Sequence, residues 1–139
     1  MRVFLDANIL FSAAKPNSRI RALLAVLSQH GECITNAYAV EEAPRNLALE
    51  EPTLVTELDR LTARLEMVGA LITQLDIKLE AKDVPILGGA IAGHATHLLT
   101  GDERDFGPYF GRTIQGVKIV SPRQLADELV HRRWLARDR

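Results

Sequence analysis

Several things are scarce in this sequence. Of its 139 residues only one is cysteine, Cys33. That excludes a disulfide framework within the chain and a cysteine-rich zinc site, and it suits a reducing compartment, the cytoplasm. Cys33 itself reads as a small buried hydrophobe. Aromatic residues make up 5% of the chain, a mix that suits helices packed on a sheet through small aliphatic side chains. The formal net charge is −1, from 17 basic and 18 acidic residues. There is thus no overall basic excess of the kind that attracts nucleic acid non-specifically. A polyanion would have to be gripped locally, by a basic patch or a bound cation. No uncharged apolar run approaches the ~20 residues of a membrane helix, so no membrane partner is expected. The opening "MRVFLDA" meets an aspartate too early for a signal-peptide core. Linkers, repeats and low-complexity segments are also missing, so residues 1–139 are expected to form one domain.

What is present is an alternation of strand and helix signals. "RVFL" (2–5) reads as a short buried strand. In "SRIRALLAVLSQHG" (18–31), Ile20, Leu23, Leu24 and Leu27 share one helical face, with Ser18 to cap it and Gly31 to end it. "ECI" (32–34) follows as a strand, and 35–49 as a helix capped by Thr35 or Asn36 and kinked by Pro44. Leu54, Leu58, Leu61 and Leu65 form one stripe of a helix over 53–67, and "VGALIT" (68–73) reads as a short strand. Residues 83–96 read as a helix capped by Asp83, "HLLT" (97–100) and "VKIV" (117–120) as strands, and 121–134 as a helix. That last helix opens with a capping box, Ser121 and Gln124, and with Pro122 at its first position. The alternation predicts an α/β sandwich with a mainly parallel sheet.

Ligands of such sheets bind beyond the carboxyl ends of the strands. Asp6 ends the first strand and Asp102 follows "HLLT". Asp83 heads the helix that leads back into that strand, so the three acids fall at one sheet edge. "VEEA" adds a fourth: Glu42 flanks the apolar side set by Ala39, Val40, Ala43 and Leu47, with Glu41 as the alternative. Two carboxylates ~5 Å apart cost roughly 3 kcal/mol at an effective dielectric near 20. Such a group ionises fully at neutral pH only if a cation holds it. Hard oxygen donors without histidine or thiolate favour Mg²⁺ or Mn²⁺. Lys15, Arg19 and Arg21 follow Asp6 closely and are the candidates for phosphate contacts.

These segments resemble the PIN-domain ribonucleases, in particular the small bacterial type that includes VapC-like toxins. The resemblance rests on "FLDANIL", "AYAVEEAPRNL", "KDVPILGGAIAGHATHLLTGDERDF" and "VKIVSPRQL", which together span nearly the whole chain. It implies a three-layer α/β/α sandwich and Mg²⁺- or Mn²⁺-dependent cleavage of RNA to a 5′-phosphate and a 3′-hydroxyl. It makes Asp6, Asp83 and Asp102 metal ligands, Glu42 the helical acid and Asp105 a further ligand acting through water. Asn8 and Thr100 become polar supports. It also implies the toxin role, a small antitoxin partner, and a homodimer.

Blander readings stand beside these. A lone Asp6 or Asp83 would be a cap, and Asp102 a polar turn. His94 and His97 are three apart but lie at the far end of their helix from Asp83. Gly88, Gly89 and Gly93 fall within that helix and suit close packing on the sheet rather than a phosphate loop. Arg132, Arg133, Arg137 and Arg139 read as a solvated helix end, with an RNA- or partner-contacting patch as the alternative. Two rival functions remain at this level. One is a PIN-like module that binds RNA or protein without cleaving. The other is a phosphotransfer domain with Asp6 as nucleophile, although "DAN" lacks the second aspartate two residues on.

Overall fold

The computed structural model describes residues 1–50 and 53–136, apart from the side chains of residues 44–50. The expected strand opens it: β1, Arg2–Leu5, whose Val3, Phe4 and Leu5 are fully buried. A strand covered on both faces needs such an unbroken apolar run. Residues 7–14, which carry no assignment from sequence, form helix α1, Ala7–Ala14. Its buried side is Ala7, Ile9, Leu10, Ala13 and Ala14, and it ends at Lys15, just ahead of Pro16. Helix α2, Arg19–His30, starts on the Ser18 hydroxyl, which accepts from Arg21 N, and gives way at Gly31 to β2, Glu32–Thr35.

Helix α3, Ala37–Glu50, is capped by Asn36, whose Oδ1 accepts from Ala39 N at 3.0 Å. Thr35 is instead the last residue of β2, and its hydroxyl donates to Leu5 O at 2.9 Å. The Pro44 ring, with the kink expected of it, and Leu47 lie outside the described side chains. Helix α4, Leu54–Thr62, is shorter than its leucine stripe suggests. Leu54 and Leu58 are buried, while Leu61 and Leu65 only pack at the margin of the core. The stripe outruns the helix because Glu66–Met67 pair with β2 as strand β3, so the strand expected at 68–73 sits earlier, in residues placed in the helix from sequence.

Beyond β3 come α5 (Val84–Ala92), β4 (His97–Leu99), a short β5 (Thr113–Ile114), β6 (Val117–Val120) and α6 (Pro122–His131). The capping box at Ser121 and Gln124 is formed as the sequence predicts. Helix α5 stops four residues before the predicted end, at Ala92, and His94 then takes a positive φ of 55°. The sheet order is β3-β2-β1-β4-β6-β5, parallel except for the β5–β6 pair. The architecture is the α/β/α sandwich with a mainly parallel sheet.

Close approach explains the glycines of α5. A methyl group at Gly89 would come within 3.2 Å of the Phe4 ring and also press on the Asn36 amide, while one at Gly88 would overlap the Ile72 carbonyl. The strand order reverses direction between the neighbours β1 and β4, which pair in register from Val3↔His97 to Leu5↔Leu99. That reversal is where parallel α/β sheets open a crevice at their carboxyl ends. Among the described residues no helix is long and apolar enough to cross a membrane.

Candidate metal centre

Asp6 follows β1 directly and is 4% exposed. Its backbone N–H donates to Leu99 O at 3.1 Å, tying it to the end of β4. Both carboxylate oxygens are held. Oδ1 accepts from Ala7 N at 2.7 Å, and Oδ2 accepts from the Thr100 hydroxyl at 2.8 Å and the Asn8 amide at 3.1 Å. Asp6 therefore both starts α1 and anchors a polar network. Burial pushes its pKa up, against the pull of Thr100, Ala7 and Asn8, and the Asp102 charge pushes the same way. Asn8 and Thr100 have the supporting geometry expected of them: Asn8 Oδ1 accepts from Gly101 N at 2.7 Å, and Thr100 Oγ1 accepts from Asp102 N at 3.1 Å. Thr100 N bonds Val120 O at 3.1 Å, so the network is pinned to three adjacent strands.

Asp102 Oδ1 in turn accepts from Asp105 N at 3.0 Å, folding the "DERD" turn so that both acids face Asp83. One oxygen from each of Asp83, Asp102 and Asp105 lies within 4.8 Å of the others. Asp83 occupies the N-cap position of α5 but makes no capping bond with its side chain. It is 6% exposed, and its buried Oδ2 has no hydrogen-bond partner among the described residues. Its pKa is pushed up to about 7, by burial first and then by the Asp105 carboxylate, in a hydrogen bond that exists only while a proton sits between the two. Asp105 goes the other way, held down chiefly by Lys82, whose Nζ is 3.0 Å from Asp105 Oδ2.

A buried carboxylate oxygen without a donor, beside two further carboxylates, is the arrangement a hard divalent cation satisfies. The three residues fit a metal ion. Asp6 lies outside that triplet but on the same pocket of about 360 Å³, whose lining includes Asp6, Asn8, Glu42, Lys82, Asp83 and Asp102. Glu42 is half-buried on this wall, whereas Glu41 is exposed. Tyr38 stands one turn before Glu42 on α3. Burial first, then Glu42, Asp83 and Asp6, raise its phenol above the ordinary value.

Sequence reasoning passed over Tyr38 and Lys82. The i, i+4 spacing of Tyr38 to Glu42 and the adjacency of Lys82 to Asp83 were the available signals. The three basic residues singled out from sequence do not line the pocket. Arg21 donates to Ala13 O at 2.8 Å and Ala14 O at 2.7 Å, finishing α1. Lys15 sits over the Phe11 ring, 4.8 Å from its centroid, and Arg19 is exposed. His97 is no metal ligand here: its Nε2 meets Glu128 at 2.8 Å and its Nδ1 the Thr96 hydroxyl at 2.7 Å. A larger cleft of about 750 Å³ opens by α2 and α4, lined by Leu24, Leu61, Leu65 and Cys33 among others. None of Asp6, Asp83, Asp102 and Asp105 lines it. Arg137 and Arg139 lie outside the described residues.

No family model matches the sequence, and no curated protein matches it either. The fold does have a counterpart among solved structures. The chain is similar to a chain of VapBC2 from Rickettsia felis, a structure solved with a DNA fragment from the promoter of those proteins. The TM-score is 0.63 with 20% sequence identity, over 87% of this chain and 98% of that one. The fold is therefore the VapC-like PIN fold.

Proposed function

We propose that this chain, with the VapC-like fold as premise, is a single-domain endoribonuclease that uses Mg²⁺ or Mn²⁺ to hydrolyse RNA phosphodiester bonds. One observation carries the reading. The oxygens of Asp83, Asp102 and Asp105 come within 4.8 Å at the crevice between β1 and β4, and of the buried oxygens there Asp83 Oδ2 has no hydrogen-bond partner while Asp105 Oδ2 has only the Lys82 ammonium, 3.0 Å away. On this reading Asp83 and Asp102 hold the ion, and Asp105 holds it directly or through a water. Asp6, fixed by Thr100 and Asn8, closes the site on the side of β1. When bound, the ion polarises the scissile phosphate and lowers the pKa of an attacking water. Glu42 accepts a hydrogen bond from that water and orients it.

The test is cleavage of single-stranded RNA by purified protein with Mg²⁺ or Mn²⁺. Asp6→Asn and Asp83→Asn each lower the rate at least a hundredfold. Cleavage that persists undiminished in EDTA or in both variants overturns the reading. Saturable Mn²⁺ binding without cleavage would point to the non-catalytic module.

The likeness to a chain of VapBC2 supports one part of a cellular role for the nuclease, a toxin held inactive by a small antitoxin protein, and the reading is completed by a cytoplasmic location and a homodimer. Expression of the chain then arrests growth, and co-expression of a protein encoded beside it relieves the arrest. A toxic chain that no neighbour restrains would contradict the pairing without touching the nuclease.

A further inference from the structure

The proposed substrate is a polyanion, yet the pocket is walled by acids. Among the described residues Lys82 alone adds a positive side chain to that lining. It precedes Asp83 directly, and its ammonium sits 3.0 Å from Asp105 Oδ2. The Asp105 side chain is 10% exposed but the Lys82 side chain is 58% exposed, so the base of the pair is fixed and its cation is free to swing. The neighbouring cations are less suited to a substrate. Both bonded nitrogens of the Arg21 guanidinium serve α1 carbonyls, and its remaining charge faces Glu57 at 3.7 Å.

We propose that Lys82 is the residue that contacts a backbone phosphate of the RNA, and that it is released for this task when a divalent ion takes Asp105 from it. The inference rests on the nuclease reading of the same pocket. In the metal-free chain Lys82 is the counter-charge of the cluster. A divalent ion at the three carboxylates supplies that charge more strongly and repels the ammonium, which lies on a long flexible stem. The exchange leaves a cation at the pocket mouth, where an RNA phosphate must pass to reach the carboxylates. The sequence has no basic excess, so a single cation released on loading would make substrate binding depend on metal.

Lys82→Met, at an exposed position, keeps the stem and removes the charge. Two measurements separate the parts of the proposal. Mn²⁺ affinity, read by electron paramagnetic resonance, rises about tenfold in K82M because the competitor for Asp105 is gone. The KM for single-stranded RNA at saturating Mn²⁺ rises about tenfold, the worth of one charge-assisted bond, with kcat changed less than twofold. Lys82→Arg recovers most of both. The salt dependence of RNA binding, log K against log salt, loses about one unit of slope in K82M. Unchanged or weaker Mn²⁺ binding in K82M overturns the exchange, and an unchanged KM overturns the phosphate contact. If the wild-type chain cleaves no RNA, the nuclease reading falls on that result. Mn²⁺ affinity and fluorescence-anisotropy binding of the same RNA then decide the role of Lys82 separately.

Discussion

Replacing Asp83 by asparagine is expected to stabilise the metal-free protein, the reverse of what removing a buried charged side chain usually does. Its carboxylate accepts no capping bond, and an asparagine amide can donate to Asp105 as the protonated carboxyl does, so the substitution gives up little. It removes repulsion from Asp102 and Asp105, whose oxygens lie within 4.8 Å. At that separation one ionised pair costs about 3.5 kcal/mol with an effective dielectric near 20. Asp83 evades part of this cost by keeping a proton, as its pKa of about 7 indicates. Lys82 and the solvent at Asp102 screen more of it. About 2 kcal/mol then remains at pH 8. The sign follows from the raised pKa. A carboxyl group that holds its proton more tightly when folded stabilises the fold fully below its unfolded value, near 3.8, and loses that contribution as pH rises through about 7. Asp83→Asn should therefore melt about 6 °C above wild type at pH 8 in EDTA, and only about 2 °C above it at pH 5. Calorimetry at the two pH values reads this directly. A variant that melts lower than wild type at pH 8, or differs equally at both pH values, would refute the repulsion.

Other outcomes follow from the same contacts. Thr100→Val leaves Asp6 Oδ2 with the Asn8 amide alone and Asp102 N without its acceptor. It should cost about 1–3 kcal/mol in urea melts, and Thr100→Ser should cost less. Gly89→Ala presses on Phe4 and on the Asn36 amide that bonds Pro85 O at 3.0 Å. Overpacking there should cost about 1–3 kcal/mol, less the better helix propensity of alanine. Because Asn36 caps the helix that carries Glu42, activity should fall too. His97 is held below its ordinary 6.5 by burial, although Glu128 opposes this. Its contribution to stability is complete above that value and is lost as pH falls through the lower folded value. The loss of stability below pH 6.5 should therefore be shallower in His97→Gln, as followed by circular dichroism.

The order of elements was legible because buried parallel strands and amphipathic helices carry different periods. β1, α2, β4 and β6 announce themselves that way, β2 by its position after a helix rather than by composition, and α6 by its capping box; Ser18 and Ser121 mark helix starts by their side chains. The failures share a cause: a local signal was overruled by a distant partner. Leu61 and Leu65 extend the stripe of α4, but Glu66–Met67 gain the β2 edge, which a single sequence does not reveal. Helix α1 has only eight residues, too few for a helical period to stand out directly after a strand. Thr35 has the chemistry of a cap, yet Leu5 O across the sheet takes its hydroxyl. At the site, the strand-end rule brought Asp6, Asp83 and Asp102 to one crevice. It says nothing of side chains on the crevice's rim, so Lys82 and Tyr38 escaped it.

A crystal of the protein soaked in Mn²⁺, read by anomalous diffraction, tests the metal centre most directly. The reading calls for one dominant peak bonded to oxygens of Asp83 and Asp102, with Lys82 displaced from Asp105. A crystal that diffracts well, yet shows no peak at these carboxylates at millimolar Mn²⁺, would contradict it.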